Sequence, residues 1–419
     1  MKIILATKSV WPYHPMGGVQ KCVYYLAKFL RKKNLDIEVV SPLDRGNPRS
    51  EIYENIKYTF LSPAIFWYLE YPVGWLGVHL FSLSLARYLQ KIDFDLLHSF
   101  DMVGYQYLKV NKRKPVISQI FTDNYLSNPI SMGNPADILS LFGRRTGNIK
   151  KEKVKISPDA DSATIRKYPV QYFFKIKPMN DLLHASECIF FEEEMFLKEV
   201  TELFQLENKR KAVVPIGTDT ALINRAIERS SLSRADIGFH PDDLVLITVN
   251  RLAADKGIDK IILAFSELIK EIPKIRLIIV GSGYQEKEIQ NLIAKKNLGE
   301  YIRHFKQVSE DTLYAYYALS DIFISAFSYP GSSVSTLEAM ACGLPVITSG
   351  QPWLVRKGNG VALETNEPYH IRNAVLKLMR DNRLKKQGEI SKDIVREYDW
   401  DKISEIVIKE YENVLSQHE

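Results

Sequence analysis

The sequence predicts an α/β protein of two domains, each built on a largely parallel sheet. Short β-branched runs alternate with amphipathic helical patterns along most of the chain. At 419 residues it is also too long for one ordinary core, which points to two domains of about 200 residues each. The 46% hydrophobic and 25% charged contents are those of a folded globular chain.

In the first half the strand candidates are Lys2–Ala6, Ile37–Ser41, Asp95–His98, Pro115–Gln119, Cys188–Phe191 and Ala212–Pro215. Between the first two, Val19, Val23, Leu26, Ala27 and Leu30 fall on one face of a helix. Tyr125 to Asn180 has no clean period and reads as an insertion of loops and short helices. The second half is more regular. Strands at Leu244–Val249, Arg276–Val280, Ile302–Phe305, Ile322–Ser325 and Pro345–Thr348 alternate with helices starting near Asp259, Tyr284, Asp311 and Val334. Helices Tyr369–Arg380 and Arg383–Glu397 follow, and an amphipathic helix from Trp400 to Leu415 ends the pattern. The charged run LENKRK suggests a boundary just before Asn208. The expected domains are 1–207 and 208–397, with 398–419 packing back on the first. A ligand is expected in a cleft between them, at the carboxyl ends of the strands.

Several function classes are disfavoured. Cys22, Cys188 and Cys342 are far apart and odd in number, which suits neither a disulfide framework nor a metal knuckle, so reduced thiols in a cytoplasmic protein are expected. The opening MKIILATKSV reads as a buried strand, being too short and too quickly polar for a signal peptide. The most apolar stretch, Phe60 to Phe81, is broken by Glu70, Pro72 and Gly74. The net charge of +6 comes with no nucleic-acid reading motif. It is concentrated at Arg144, Arg145, Lys150, Lys151, Lys153 and Lys155. That run reads either as a solvated loop or as a foothold on an anionic membrane.

Four segments carry chemistry. Ser333–Thr348 (SVSTLEAMACGLPVIT) reads as turn, short helix, glycine stop and buried strand, with Gly343 at the helix end and Pro345 beyond it. Gly331, Ser332 and Ser333 precede that helix, whose free backbone N–H groups and dipole make an anion site. Glu338 lies one turn in, and with Ser335 it also fits a capping box. In Val249–Lys260 (VNRLAADKGIDK), Arg251 and Lys256 flank a turn closed by Gly257 at a strand end, with Asp259 able to cap the next helix. A guanidinium fork and a mobile ammonium suit a diphosphate, although such a pair also occurs as plain surface cations. In Pro15–Gln20 (PMGGVQ), Gly17 and Gly18 open a helix after the first strand and let a ligand approach the backbone. Val280–Gly283 (VGSG) follows a later strand in the same way, as a plain βα turn also would.

Taken in order, these segments resemble the family-4 retaining glycosyltransferases of GT-B fold, over nearly the whole chain. The GGV turn, the DLLHSFD segment (Asp95–Asp101), the VVPIGTD linker (Val213–Asp219), NRLAADKG, LIIVGSG, LEAMACGLPVI and the YDW start of the last helix (Tyr398–Trp400) carry the resemblance. It implies two Rossmann-like domains facing a central cleft. The first would take a saccharide or lipid-linked acceptor and the second a nucleotide-sugar donor. Arg251 and Lys256 would bind the donor diphosphate and stabilise charge on the leaving group. Glu338 would accept hydrogen bonds from the donor ribose. The amides of Gly331, Ser332, Ser333, Val334 and Ser335 would line the phosphate and sugar, with Gly17 and Gly18 across the cleft. The sugar would move with retained configuration and without a metal, the nucleotide-diphosphate sugar being a co-substrate. The chain departs from the family at Pro330, where relatives carry the first of two glutamates, and at Phe100 and Phe121, where many carry histidines. His98, Asp101 and Asp123 remain near strand ends as acceptor-side candidates. The aromatic stretches Phe66–Trp75 and Tyr168–Phe174 read as core, or as a face for a hydrophobic acceptor beside the membrane. The alternative is a GT-B protein that binds a nucleotide sugar or a partner without transfer.

Overall fold

A computed structural model describes residues 1–14, 17–43, 48–61, 74–110, 114–121, 172–328, 331 and 333–418, with single positions at 162 and 166. Asp123, Pro330, Ser332, the Arg144–Lys155 basic run and most of both aromatic stretches lie outside the described residues. The chain divides into two compact units, Met1–Pro215 with Trp400–Glu419, and Ile216–Asp399.

Among its described residues the first unit holds eight strands: β1 (Lys2–Ala6), β2 (Asp36–Pro42), β3 (Ser50–Tyr53), β4 (Ile56–Leu61), β5 (Leu96–Phe100), β6 (Val116–Ile120), β7 (Cys188–Phe191) and β8 (Arg210–Val213). Their order across the sheet is β3-β4-β2-β1-β5-β6-β7-β8. All pairs are parallel except β3 with β4. β1, β5, β6 and β7 are almost wholly buried; β1 and β7 accordingly read as continuous apolar runs, while β5 and β6 enclose His98, Ser99, Ser118 and Gln119. The helix Gly18–Lys32 buries Cys22, Val23, Leu26, Ala27 and Leu30, and Arg31 and Lys32 suit its negative end.

The helix Trp400–Leu415 belongs to this unit and buries Trp400, Ile403, Val407, Tyr411 and Val414 along one stripe. Trp400 stacks on Tyr25 with centroids 6.5 Å apart. Glu410 accepts from Arg210 Nε at 2.9 Å, and Glu405 pairs with Lys33 at 2.7 Å.

Residues 208–215, assigned to the second domain by the charge run, are part of the first. β8 pairs with β7, and Val214 N–H donates to Phe191 C=O at 2.7 Å. The charged run is a tight turn: Gln205 ends the helix Glu194–Phe204 in a left-handed conformation. Lys209 and Lys211 then donate to the backbone carbonyls of His184 and Lys209, at 2.7 and 2.9 Å.

Among its described residues the second unit holds six parallel strands: β9 (Leu244–Val249), β10 (Ile275–Val280), β11 (Ile302–Phe305), β12 (Ile322–Ser325), β13 (Val346–Thr348) and β14 (Gly360–Ala362). Their order is β11-β10-β9-β12-β13-β14. This is the doubly wound arrangement in which the chain builds outward from its first strand in one direction and then in the other. The helix Ile258–Glu271 packs Ile258, Ile261, Ile262, Phe265 and Leu268 onto this sheet's core. The ends of the unit are tied together: Thr218 N–H donates to Tyr398 C=O at 2.9 Å, and Thr220 N–H to Asp399 at 3.2 Å. Among the described residues no helix is long and apolar enough to cross a membrane.

Candidate functional site

In a doubly wound sheet, the connections leaving the two strands on either side of the reversal diverge and open a crevice at their carboxyl ends. In the second unit that reversal falls between β9 and β12, which pair through Ile322 with Leu246 and Phe323 with Ile247. The segments leaving these strands carry the expected donor residues.

β9 leads into a short 3-10 turn, Ala254–Lys256, and then into Gly257 and its helix. Gly257 has φ +62°, and a Cβ there would sit 2.2 Å from the carbonyl oxygen of Ala326. Only glycine lets the turn lie this close to the end of β12. Ser328 N–H donates to Asp255 C=O at 2.9 Å, and Lys256 Nζ stands 4.2 Å from the centroid of Phe327. The turn therefore rests on the segment leaving β12. Between the cations lies Asp255, 3.2 Å from Lys256 Nζ and 3.8 Å from Arg251 Nη2.

The VGSG turn supports the other side. Leu252 N–H donates to Ser282 C=O at 2.9 Å, Gln285 N–H to Leu252 C=O at 3.1 Å, and Ala254 N–H to Tyr284 Oη at 3.0 Å. Cβ atoms at Gly281 or Gly283 would meet the carbonyl oxygens of Asn250 or Leu252 at 1.9 and 2.2 Å. These glycines thus serve the fit of one turn against another.

Beyond β12, Gly331 N–H donates to Gly350 C=O at 3.0 Å. Ser333 is the N-cap of the helix Val334–Ala341, with extended backbone and no side-chain cap. Its hydroxyl instead meets that of Ser335 at 2.7 Å. The capping-box reading of Ser335 and Glu338 is corrected here: Ser335 lies inside the helix, so Glu338 is not in the position that reaches back to a cap. Glu338 is almost fully buried, and its Oε2 accepts from Tyr317 Oη at 3.3 Å. Burial beside this carboxylate pushes the Tyr317 hydroxyl far above its ordinary range, so it remains a donor. Arg251, Lys256, Gly331, Ser333, Val334, Ser335 and Glu338 thus all lie on the two segments that leave β9 and β12.

In the first unit the reversal falls between β1 and β5. Lys8 follows β1, Asp101 follows β5, and they pair at 3.4 Å. Asp101 has φ +54° and is 2% exposed. Gly17 is the N-cap of its helix at φ −153°, a backbone any residue adopts, and Gly18 is the first helical residue. His98 is corrected from an acceptor-side candidate to an interior packing residue. It has no exposed surface, its Nδ1 lies 2.7 Å from Tyr411 Oη, and its ring stacks on Phe100 at 4.4 Å. Burial pushes it down to about 3, so it is neutral at ordinary pH. Phe100 stacks in turn on Phe121 at 5.9 Å, and both are buried.

Sequence reasoning missed four contributors. Asp255 had a signal, as the acid next to Lys256 in the basic motif, and Lys8 had one as the cation just past β1. Tyr284 and Tyr317 had none, because each acts on a turn or helix distant in sequence.

The family described as Glycosyltransferase Family 4 matches residues 16–222, and Glycosyl transferases group 1 matches residues 230–393. An uncharacterised glycosyltransferase of Methanocaldococcus jannaschii is 26% identical over 422 residues, covering 96% of this chain and 95% of that protein. The GDP-mannose-dependent alpha-(1-6)-phosphatidylinositol monomannoside mannosyltransferase of Mycolicibacterium smegmatis is 29% identical over 181 residues, 41% of this chain and 47% of that one. The solved sucrose-phosphate synthase from Thermosynechococcus elongatus superposes with a TM-score of 0.71 at 16% identity, covering 99% of each chain. That last likeness bears on the fold alone, a GT-B arrangement of two Rossmann-like domains. With two consecutive family matches and a full-length relative, the chain belongs to the group 1, family 4 glycosyltransferases.

Proposed function

We propose that the protein transfers a glycosyl group from a nucleotide-diphosphate sugar to a hydroxyl of a lipid-linked saccharide, with retention and without a metal. The bond from the anomeric carbon to the β-phosphate oxygen breaks, and one to the acceptor oxygen forms on the same face. The nucleoside diphosphate leaves with one more negative charge, and the acceptor hydroxyl gives up its proton.

The observation that carries this reading is the meeting of the Arg251–Lys256 turn with the segment leaving β12, which leads to an uncapped helix N-terminus. Cations and the first amides of that helix need no rearrangement as charge grows on the leaving diphosphate, although the Gly331 amide expected to line the phosphate is already engaged by Gly350 C=O. Glu338, steadied by Tyr317, suits the hydroxyls of a donor ribose. A glycolipid acceptor is supported by the name of the mycobacterial relative. The basic run Arg144–Lys155 supports peripheral contact with an anionic cytoplasmic leaflet.

Two experiments test the reading. Lys256→Ala is expected to lower turnover at least about tenfold with the fold intact, since one group stabilising transition-state charge contributes a few kcal/mol. Near-normal turnover would remove Lys256 from the mechanism. Sedimentation with phosphatidylserine vesicles is expected at low salt and lost as salt rises. No sedimentation at low salt would sink the membrane contact.

A further inference from the structure

Asp255 has no part in the reaction above, yet it lies between the two cations on which that reaction depends. Its Oδ2 is 3.2 Å from Lys256 Nζ and its Oδ1 3.8 Å from Arg251 Nη2. The three side chains differ in exposure: 13% for Lys256, 19% for Asp255 and 64% for Arg251. The backbone of the turn is held separately from this carboxylate, by Ser328 N–H on Asp255 C=O and by the Gly257 contact with Ala326.

We propose that Asp255 is an internal counter-ion, a positioning residue that stands in for the donor diphosphate when the site is empty. The proposal rests on reading Arg251 and Lys256 as the diphosphate-binding pair. Two neighbouring cations repel, and a poorly exposed ammonium is unfavourable without an anion beside it. The carboxylate answers both, and it holds the Lys256 ammonium against Phe327. An arriving diphosphate carries more negative charge than one carboxylate. Arg251, exposed and in the longer contact, exchanges Asp255 for the phosphate, while Lys256 keeps the shorter contact and its direction. The cost is competition: part of the attraction between cations and donor is already satisfied by Asp255.

The signs of the two effects are therefore opposite. In Asp255→Asn the competing charge is gone, so nucleoside diphosphate binds tighter. Lys256 also loses its guide, so turnover falls. A role in folding alone would instead weaken binding and turnover together.

The test is calorimetric titration of the full chain with UDP, GDP, ADP and CDP, followed by donor kinetics. Asp255→Asn is expected to lower the Kd of whichever nucleoside diphosphate the wild type binds by about two- to fivefold, the range for a partly exposed ionic contact. The kcat is expected to fall about tenfold, and Asp255→Glu to return both values toward wild type. Asp255→Ser, which also lacks the charge, gives the same comparison should the amide variant misfold. Unchanged or weaker diphosphate binding in the charge-free variants overturns the counter-ion role while leaving the donor site standing. A wild-type protein that binds none of the four removes the donor reading itself, and this inference with it.

Discussion

Replacing Gly257 by alanine tests whether the contact between the two strand exits builds the donor site. The residue has φ +62°, where a side chain costs about 1–2 kcal/mol. The added Cβ would lie 2.2 Å from the Ala326 carbonyl oxygen and 3.2 Å from that carbonyl's carbon. The obstacle is backbone, so relief requires the turn and the end of β12 to separate by about 1 Å to reach ordinary contact, at a further ~1–3 kcal/mol. Alanine's restriction of the unfolded chain returns roughly 0.5–1 kcal/mol. A net loss of about 2–4 kcal/mol remains, which for a unit of this size lowers its melting midpoint by roughly 5–12 °C. Turnover should fall further than stability at the assay temperature explains, because Lys256 is carried away from Phe327 and the site's amides. Scanning calorimetry beside donor kinetics reads both. A midpoint within about 2 °C of wild type, with turnover within twofold, would refute the claim that this close approach assembles the site.

Two other expectations concern groups whose environment is now defined. Tyr317→Phe removes the hydroxyl on Glu338 Oε2, and is expected to raise the donor KM about three- to tenfold with the fold retained; an unchanged KM would remove Tyr317 as the support of Glu338. His98 is held near 3 against an ordinary 6.5, so between those values the unfolded chain takes up a proton that the folded chain refuses. Stability from this group is complete above about pH 6.5, declines by about 1.4 kcal/mol at pH 5.5, and continues to fall toward pH 3. His98→Gln, which cannot titrate, should flatten this slope in urea unfolding across pH 5 to 7; an unchanged slope would assign the acid sensitivity elsewhere.

The parts of the fold legible in the sequence are those whose hydrophobic pattern is local. β1, β7 and β9 are largely buried and appear as nearly unbroken apolar runs, whereas β5 and β6, equally buried, carry His98, Ser99, Ser118 and Gln119 inside. The β3–β4 hairpin escaped notice because Ser50–Ile52 is exposed and its turn uses Glu54 and Asn55 at φ 49° and 61°, with no glycine to mark it. β14 is three residues long and, among the described residues, pairs with β13 at the edge of the sheet. The boundary was misplaced because a charged run resembles a linker until its lysines are seen bound to carbonyls.

The candidate site divides along the same line. Arg251, Lys256 and Gly257 were legible because a cationic, glycine-closed turn after a buried strand is a local pattern. His98 was misread because its surroundings are not local: the hydroxyl that meets it belongs to Tyr411 on the terminal helix, and its stacking partner Phe100 leans on Phe121, the residue just past β6. An imidazole in that setting is neutral and enclosed, whereas the same residue at an open strand end would be a candidate acid or base. What separates the two cases is strand order, which sequence periodicity does not contain. Once β9 and β12 are neighbours at the reversal, two segments distant along the chain become one surface. The acid between the cations is the converse case: Arg251 four residues before it and Lys256 one after share its turn, so its pairing is local, and strand order adds only the surface that the turn rests on.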